Sequence, residues 1–148
     1  MITITHEETI NRPVEEVFAF IADPTNDPRW CPPVLEAEQV KGNGPEKGAR
    51  FRQIVKPGPK KLTNSMEITA YQPNRRIAWQ GDNEMLKFHG WYEVEADNGG
   101  ARVAMTSKLE ARGIFRLLEP FLGRASRSVA VEEFKNLKQL LEGERGRR

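Results

Sequence analysis

At 148 residues, with 38% hydrophobic and 30% charged side chains, the chain has the size for one domain and the composition of a soluble globular protein on the polar side. Its 23 basic and 21 acidic residues leave a net charge of +2, too balanced for a nucleic-acid binder, and Cys31, the one cysteine, excludes an intrachain disulfide and defines no metal site by itself. No apolar run reaches the ~18 residues of a membrane span and none at the N-terminus resembles a signal peptide, so the expectation is a cytoplasmic protein without stable membrane insertion.

Residues 1–11 alternate, with Ile2, Ile4, His6, Glu8 and Ile10 on one face and Thr3, Thr5, Glu7 and Thr9 on the other. Period two with many β-branched residues predicts a strand. Asn11 can cap a helix whose first turn tolerates Pro13, and Val14, Val17, Phe18 and Ile21 form its apolar face. Asp23-Pro24 ends it, and Asp27-Pro28-Arg29-Trp30 suits a second short helical turn.

Six strands are expected next, at 34–41, 49–56, 62–72, 76–80, 86–96 and 101–110. The segments between them are turn sequences, such as Gly42-Asn43-Gly44-Pro45, Pro57-Gly58-Pro59 and Asp97-Asn98-Gly99-Gly100. Short turns between consecutive strands make an antiparallel meander. Parity then assigns an inner face: Phe51, Gln53 and Val55, Ile77 and Trp79, Leu86, Phe88, Gly90, Tyr92 and Val94, and Val103, Met105, Ser107 and Leu109. The register of 62–72 stays open, because both of its faces carry polar groups.

At the C-terminal end Ala130, Phe134, Leu137 and Leu141 share a helical stripe, while Ile114, Leu118 and Phe121 share another, out of phase. The phase changes around Pro120 and Gly123, which predicts a short helix or turn followed by a long helix. Continuing the long helix's stripe backwards brings Gly123 and Arg127 towards the sheet, where small and polar groups predict empty space. Residues 1–142 are read as one domain and 143–148 as a frayed basic tail.

The order strand, two short helices, six strands, long helix resembles the START-like (SRPBCC) superfamily, the birch-pollen-allergen fold, in its polyketide cyclase/dehydrase-like branch. The residues that carry the resemblance are Ile10-Asn11-Arg12-Pro13 with Val17-Phe18, Trp30 with Pro33, Gly48-Ala49-Arg50-Phe51, Tyr71-Gln72-Pro73-Asn74-Arg75-Arg76, Gly99-Gly100-Ala101-Arg102-Val103, and Leu117-Leu118-Glu119-Pro120 with Asn136-Leu137-Lys138. The resemblance implies an α+β helix-grip fold, a curved seven-stranded antiparallel sheet around a long C-terminal helix. It also implies a pocket between the two for a lipid, polyketide, hormone or quinone. A minority of such proteins catalyse cyclisation, dehydration or hydrolysis, and they share no universal catalytic signature.

His6 and Glu8 stand out on an otherwise apolar face. An imidazole beside a carboxylate under an apolar roof suits general acid/base work, unless strand twist simply exposes both. Arg127, with Glu119 earlier on the helix, suits recognition of an anionic or carbonyl group. Gln53, Tyr92 and Ser107 can hydrogen-bond a ligand without burying a charge. Trp30, Phe51, Trp79, Phe88, Met105, Ala130 and Phe134 are candidate apolar walls, each equally suited to plain core packing. No phosphate loop, nucleophile elbow or zinc-ligand spacing appears, so neither cofactor nor metal is expected.

Three readings stay open: a binder of a small hydrophobic molecule, a cyclase/dehydratase-type enzyme using His6 and Glu8, or an interaction module with Phe115, Phe121 and Leu122 exposed for a partner or membrane surface. A monomer or homodimer fits all three.

Overall fold

Seven antiparallel strands form one open sheet in which every neighbour is consecutive in the chain except the first strand against the last. The computed structural model describes residues 1–146. Strand β1 (Ile2–Ile10) leads into helix α1 (Val14–Ile21) and a 3-10 helix (Pro24–Arg29). The meander follows: β2 (Val34–Lys41), β3 (Arg50–Val55), β4 (Leu62–Gln72), β5 (Arg76–Asp82), β6 (Leu86–Asp97) and β7 (Gly100–Ala111). A second 3-10 helix (Gly113–Leu118) then runs into the long helix α2 (Glu119–Gly146). This is the helix-grip architecture expected of the sequence, with the sheet curved around α2.

The turns work as their residues dictate. Asn98 and Gly99 both adopt positive φ, 51° and 83°, which suits the two-residue turn that pairs Asp97 with Gly100 between β6 and β7. Gly100 must be glycine for a second reason: a Cβ there would lie 2.6 Å from the carbonyl oxygen of Ile10, at the β1 crossing.

Parity also sets the core. Ile10, Phe51, Ile68 and Val103 are fully buried on the concave face, against Val17 and Phe18 of α1 and Phe134 and Leu137 of α2. The register left open over 62–72 is settled by pairing: Phe51 opposes Met66 and Gln53 opposes Asn64, so Asn64 and Met66 join the inner face. A bulge between Ile68 and Ala70 shifts the end of β4.

Three local expectations are corrected. Helix α1 takes Pro13, not Asn11, as its cap residue, and no side chain caps it. Asn11 instead donates its backbone N–H to Glu142 of α2 at 2.9 Å, pinning helix to strand. The helical turn around Asp27 begins earlier, at Pro24, because Asp23 caps it by accepting from the Thr25 amide at 3.0 Å. Finally, α2 continues to Gly146, through most of the stretch read as a frayed tail; residues 147–148 lie outside the described residues.

Candidate functional site

Between the concave sheet and α2 lies a cavity of about 200 Å³. Its apolar wall comes from the sheet and α1, with Ile21, Met66, Ile68, Ile77, Trp79, Phe88 and Met105 all facing it. Seven polar or ionisable side chains also line it: Asp27, Cys31, Gln53, Asn64, Tyr92, Ser107 and Glu133. Among the described residues the lining holds no Lys, Arg or His, so its formal charges there are carboxylates.

Each polar group is placed by its element. The 3-10 helix is fixed by Pro24, Pro28 and the Asp23 cap, and the Asp27 carbonyl accepts from the amides of Trp30 (3.1 Å) and Cys31 (2.8 Å). That turn points the Asp27 carboxyl at β3, where Gln53 donates its side-chain N–H to Oδ2 at 2.7 Å and also reaches the Pro24 carbonyl at 3.3 Å. Gln53 is only 3% exposed, so its amide satisfies a buried carboxyl that would otherwise be costly. Glu133 comes from the opposite wall, one residue before Phe134 on α2, and shares a hydrogen bond with the Cys31 thiol.

Burial shapes the ionisation of all four acids. Desolvation raises Asp27 to about 8; Gln53 pulls it down, and the charges of Glu133 and Asp23 push it up again. Desolvation raises Glu133 to about 7, with the Cys31 contact opposing. The Cys31 thiol and the Tyr92 phenol are both pushed well up, by burial first and then by neighbouring carboxylates. Near neutral pH the cavity therefore holds one protonated carboxyl, one close to its midpoint, and two neutral weak acids. Such a set can donate a hydrogen bond to a carbonyl and accept a proton from a nearby carbon or hydroxyl.

The sequence-derived candidates divide by place. Gln53, Trp79, Phe88, Tyr92, Met105 and Ser107 line the cavity. Trp30, Phe51, Ala130 and Phe134 are buried in the core and do not. Trp30 packs behind the wall, with its ring 5.6 Å from Phe134 and 6.3 Å from Tyr92, and its indole N–H has no partner among the described residues. His6 and Glu8 do lie side by side, 3.7 Å apart and half-buried, but away from the cavity: His6 stacks at 4.8 Å on Phe134.

Arg127 is exposed and donates to the Thr3 carbonyl at 3.5 Å, while Glu119 takes the N-terminal ammonium at 3.3 Å and the Ala111 amide at 3.3 Å. The space expected around Gly123 is closed, since a Cβ there would meet Ile2 at 3.3 Å. Sequence reasoning missed Asp27, Cys31, Asn64 and Glu133. Only Glu133 carried a signal, standing three residues after Ala130 on the flank of the apolar stripe. Among the described residues no group of three or more His, Cys, Asp or Glu is placed to hold a metal ion.

A curved antiparallel sheet closed by a long helix over a cavity is the helix-grip fold that the sequence resemblance implies. The chain belongs to the family described as polyketide cyclase/dehydrase and lipid transport, which matches residues 1–142. Among solved structures it is similar to TTHA0849 from Thermus thermophilus, with 19% identity, a TM-score of 0.75, and 93% of this chain and 94% of that one covered. It is also similar to the ZhuI aromatase/cyclase from Streptomyces sp. R1128, with 16% identity, a TM-score of 0.72, and 93% and 94% covered. The third is Ara h 8.0201, with 18% identity, a TM-score of 0.69, and 95% and 97% covered. At these identities the likeness is one of fold. No curated protein matches the sequence.

Proposed function

We propose that this protein binds a small, largely apolar molecule carrying a carbonyl or hydroxyl group in the cavity between sheet and α2. The observation that carries the reading is the cavity itself: an apolar chamber whose charged groups, among the described residues, are two partly protonated carboxyls. Its volume of about 200 Å³ limits the guest. A dry apolar cavity of ~150 Å³ accepts a benzene, whereas drug-sized ligands take ~300–1,000 Å³. One substituted ring fits this volume; a fused polycycle does not fit within it. Burying roughly 200 Å² of apolar ligand surface gains about 5 kcal/mol before association costs, so a single-ring guest is expected to bind no tighter than about 0.2 mM.

Titration of labelled protein with acetophenone, followed by amide NMR, tests this. Shifts are expected at Gln53, Tyr92 and Glu133. Benzoate, of similar size but anionic, should leave them unmoved above about pH 8, where both cavity carboxyls are charged. If no single-ring probe moves those amides, the binding reading is wrong.

A second reading, a cyclase/dehydratase-type enzyme, is favoured by one observation: the two carboxyls face one chamber with ionisation near 7 and near 8, suiting a general base and a general acid. This moves the acid/base role from His6 and Glu8 to Glu133 and Asp27. Cyclisation of a polyketone needs a proton taken from carbon beside a carbonyl that is itself hydrogen-bonded. The protein should therefore speed deuterium exchange at the acetophenone methyl group in heavy water. Glu133→Gln and Asp27→Asn should each reduce that rate by about 100-fold while the probe still binds. Exchange no faster than in buffer would rule out this chemistry for the pair.

A further inference from the structure

Eight large apolar side chains are exposed among the described residues, and five of them gather at one end of the molecule: Met1, Ile114, Leu117, Leu118 and Phe121, between 44% and 78% exposed. Ile114 and Leu117 are three residues apart on the second 3-10 helix, which places them on one face. Phe121 follows in the first turn of α2, and Met1 is tied in by its ammonium on Glu119. The interaction patch read from the sequence as Phe115, Phe121 and Leu122 is thus differently composed, because Phe115 is half-buried and Leu122 packs on the core. A cluster of protruding aliphatic and aromatic tips is unlike the scattered apolar surface of an ordinary monomer.

Its rim is basic. Arg112, Arg116, Arg124 and Arg127 are all exposed within 112–127, and the one acid in that stretch, Glu119, is neutralised by the N-terminus. Arg112 and Arg116 have only long ion pairs, to Asp82 at 3.7 Å and Glu110 at 3.6 Å, with Arg112 also donating to the Asn83 carbonyl at 3.0 Å, and Arg124 has no ion-pair partner among the described residues. A second copy is a poor occupant for this surface. A two-fold contact would set arginines against arginines and a knob against a knob. A convex apolar knob inside a cationic rim suits a partner that is deformable, apolar a few ångströms down, and negatively charged at its surface.

We propose that this end of the molecule docks peripherally on an anionic lipid surface, with Ile114, Leu117 and Phe121 entering the boundary between headgroups and acyl chains and the arginines meeting lipid phosphates. No described helix is long and apolar enough to cross a membrane, so the association is one of contact and not of spanning.

The test is co-sedimentation of the full chain with vesicles of phosphatidylcholine alone and of phosphatidylcholine mixed with phosphatidylglycerol. At low salt the partition coefficient should be at least about tenfold higher for the anionic vesicles, and high salt should remove most of that excess. Replacing Leu117 and Phe121 together by Asp should reduce binding by about tenfold or more with the melting temperature unchanged, since both side chains project into solvent. Arg124→Gln, which leaves the apolar knob intact, should weaken binding about fivefold and lower its salt dependence. Equal binding to both vesicle types, binding indifferent to either variant, or a lipid-free dimer that the Leu117/Phe121 variant dissociates would each overturn the proposal.

Discussion

Asp27→Asn is expected to stabilise the protein at alkaline pH and to flatten the dependence of its stability on pH. In the folded chain the Asp27 carboxyl is raised from 3.8 to about 8, by desolvation first, with Glu133 and Asp23 adding and Gln53 opposing. Its contribution to stability is fully present below about pH 4, where both folded and unfolded chains are protonated. Above that the unfolded chain loses the proton and the folded chain keeps it, so stability falls as pH rises and levels off only past about 8. Glu133, raised from 4.5 to about 7, adds a loss of the same sign over its own interval. Glu142, lowered chiefly by the Asn11 amide, acts in the opposite direction, since its contribution is present above about 4.5 and lost as pH falls. The wild-type protein should therefore be most stable in mildly acidic solution.

Asparagine keeps the shape of Asp27 and an oxygen for the Gln53 amide, but has no charge to bury. At about pH 9 the variant should exceed wild type by roughly 2–5 kcal/mol, at 1.36 kcal/mol for each tenfold change in proton affinity, and near pH 4 the two should converge. Urea melts across that range decide the matter. A wild-type protein as stable at pH 9 as at pH 5, or a variant that tracks it, would show that Asp27 is not held protonated.

That a cavity group should destabilise the fold under physiological conditions explains why the site is the hardest part to read. The fold is legible because its signals are repetitive. Alternation places Phe51, Gln53, Tyr92 and Met105 on the inner face, and each turn is flagged by Gly, Pro, Asn or Asp. Asp27 has no such redundancy. In sequence it is one more acid beside a proline in a helical turn, and what makes it unusual is the distant Gln53. Cys31, as a lone cysteine, points to neither a disulfide nor a metal site, although its buried thiol hydrogen-bonds with Glu133.

The misplaced cavity has a different cause. A small residue at Gly123 suggests space, but a helix with a glycine on its inner side can move closer to its neighbour, and α2 does so against Ile2. The space lies further along, at Glu133, where the side chains opposite α2 come from the first 3-10 helix and from β3 to β7.

Phe134→Ala tests whether that space is bounded as described. Phe134 is 1% exposed and contacts three rings: Trp30 at 5.6 Å, Tyr92 at 6.3 Å and His6 at 4.8 Å. It does not line the cavity itself but stands between Tyr92, which does, and His6 of the His6–Glu8 pair outside it. Truncating a buried Phe typically costs 3–5 kcal/mol, and a site walled by other rings and by β1 has little freedom to collapse, so about 4 kcal/mol is expected here. The resulting gap should join the chamber and carry it to the imidazole. Two consequences follow that a loss of packing alone would not produce. A two-ring probe such as 2-acetylnaphthalene, excluded from the wild-type cavity on volume, should bind the variant and recover part of the lost stability in proportion to its concentration. Its binding should also shift the His6 ring resonances, which acetophenone in the wild-type protein should leave unchanged. If the variant loses less than about 1 kcal/mol, or admits no larger guest, then Phe134 does not close the cavity, and the separation of His6 from the carboxyl pair must rest on another residue.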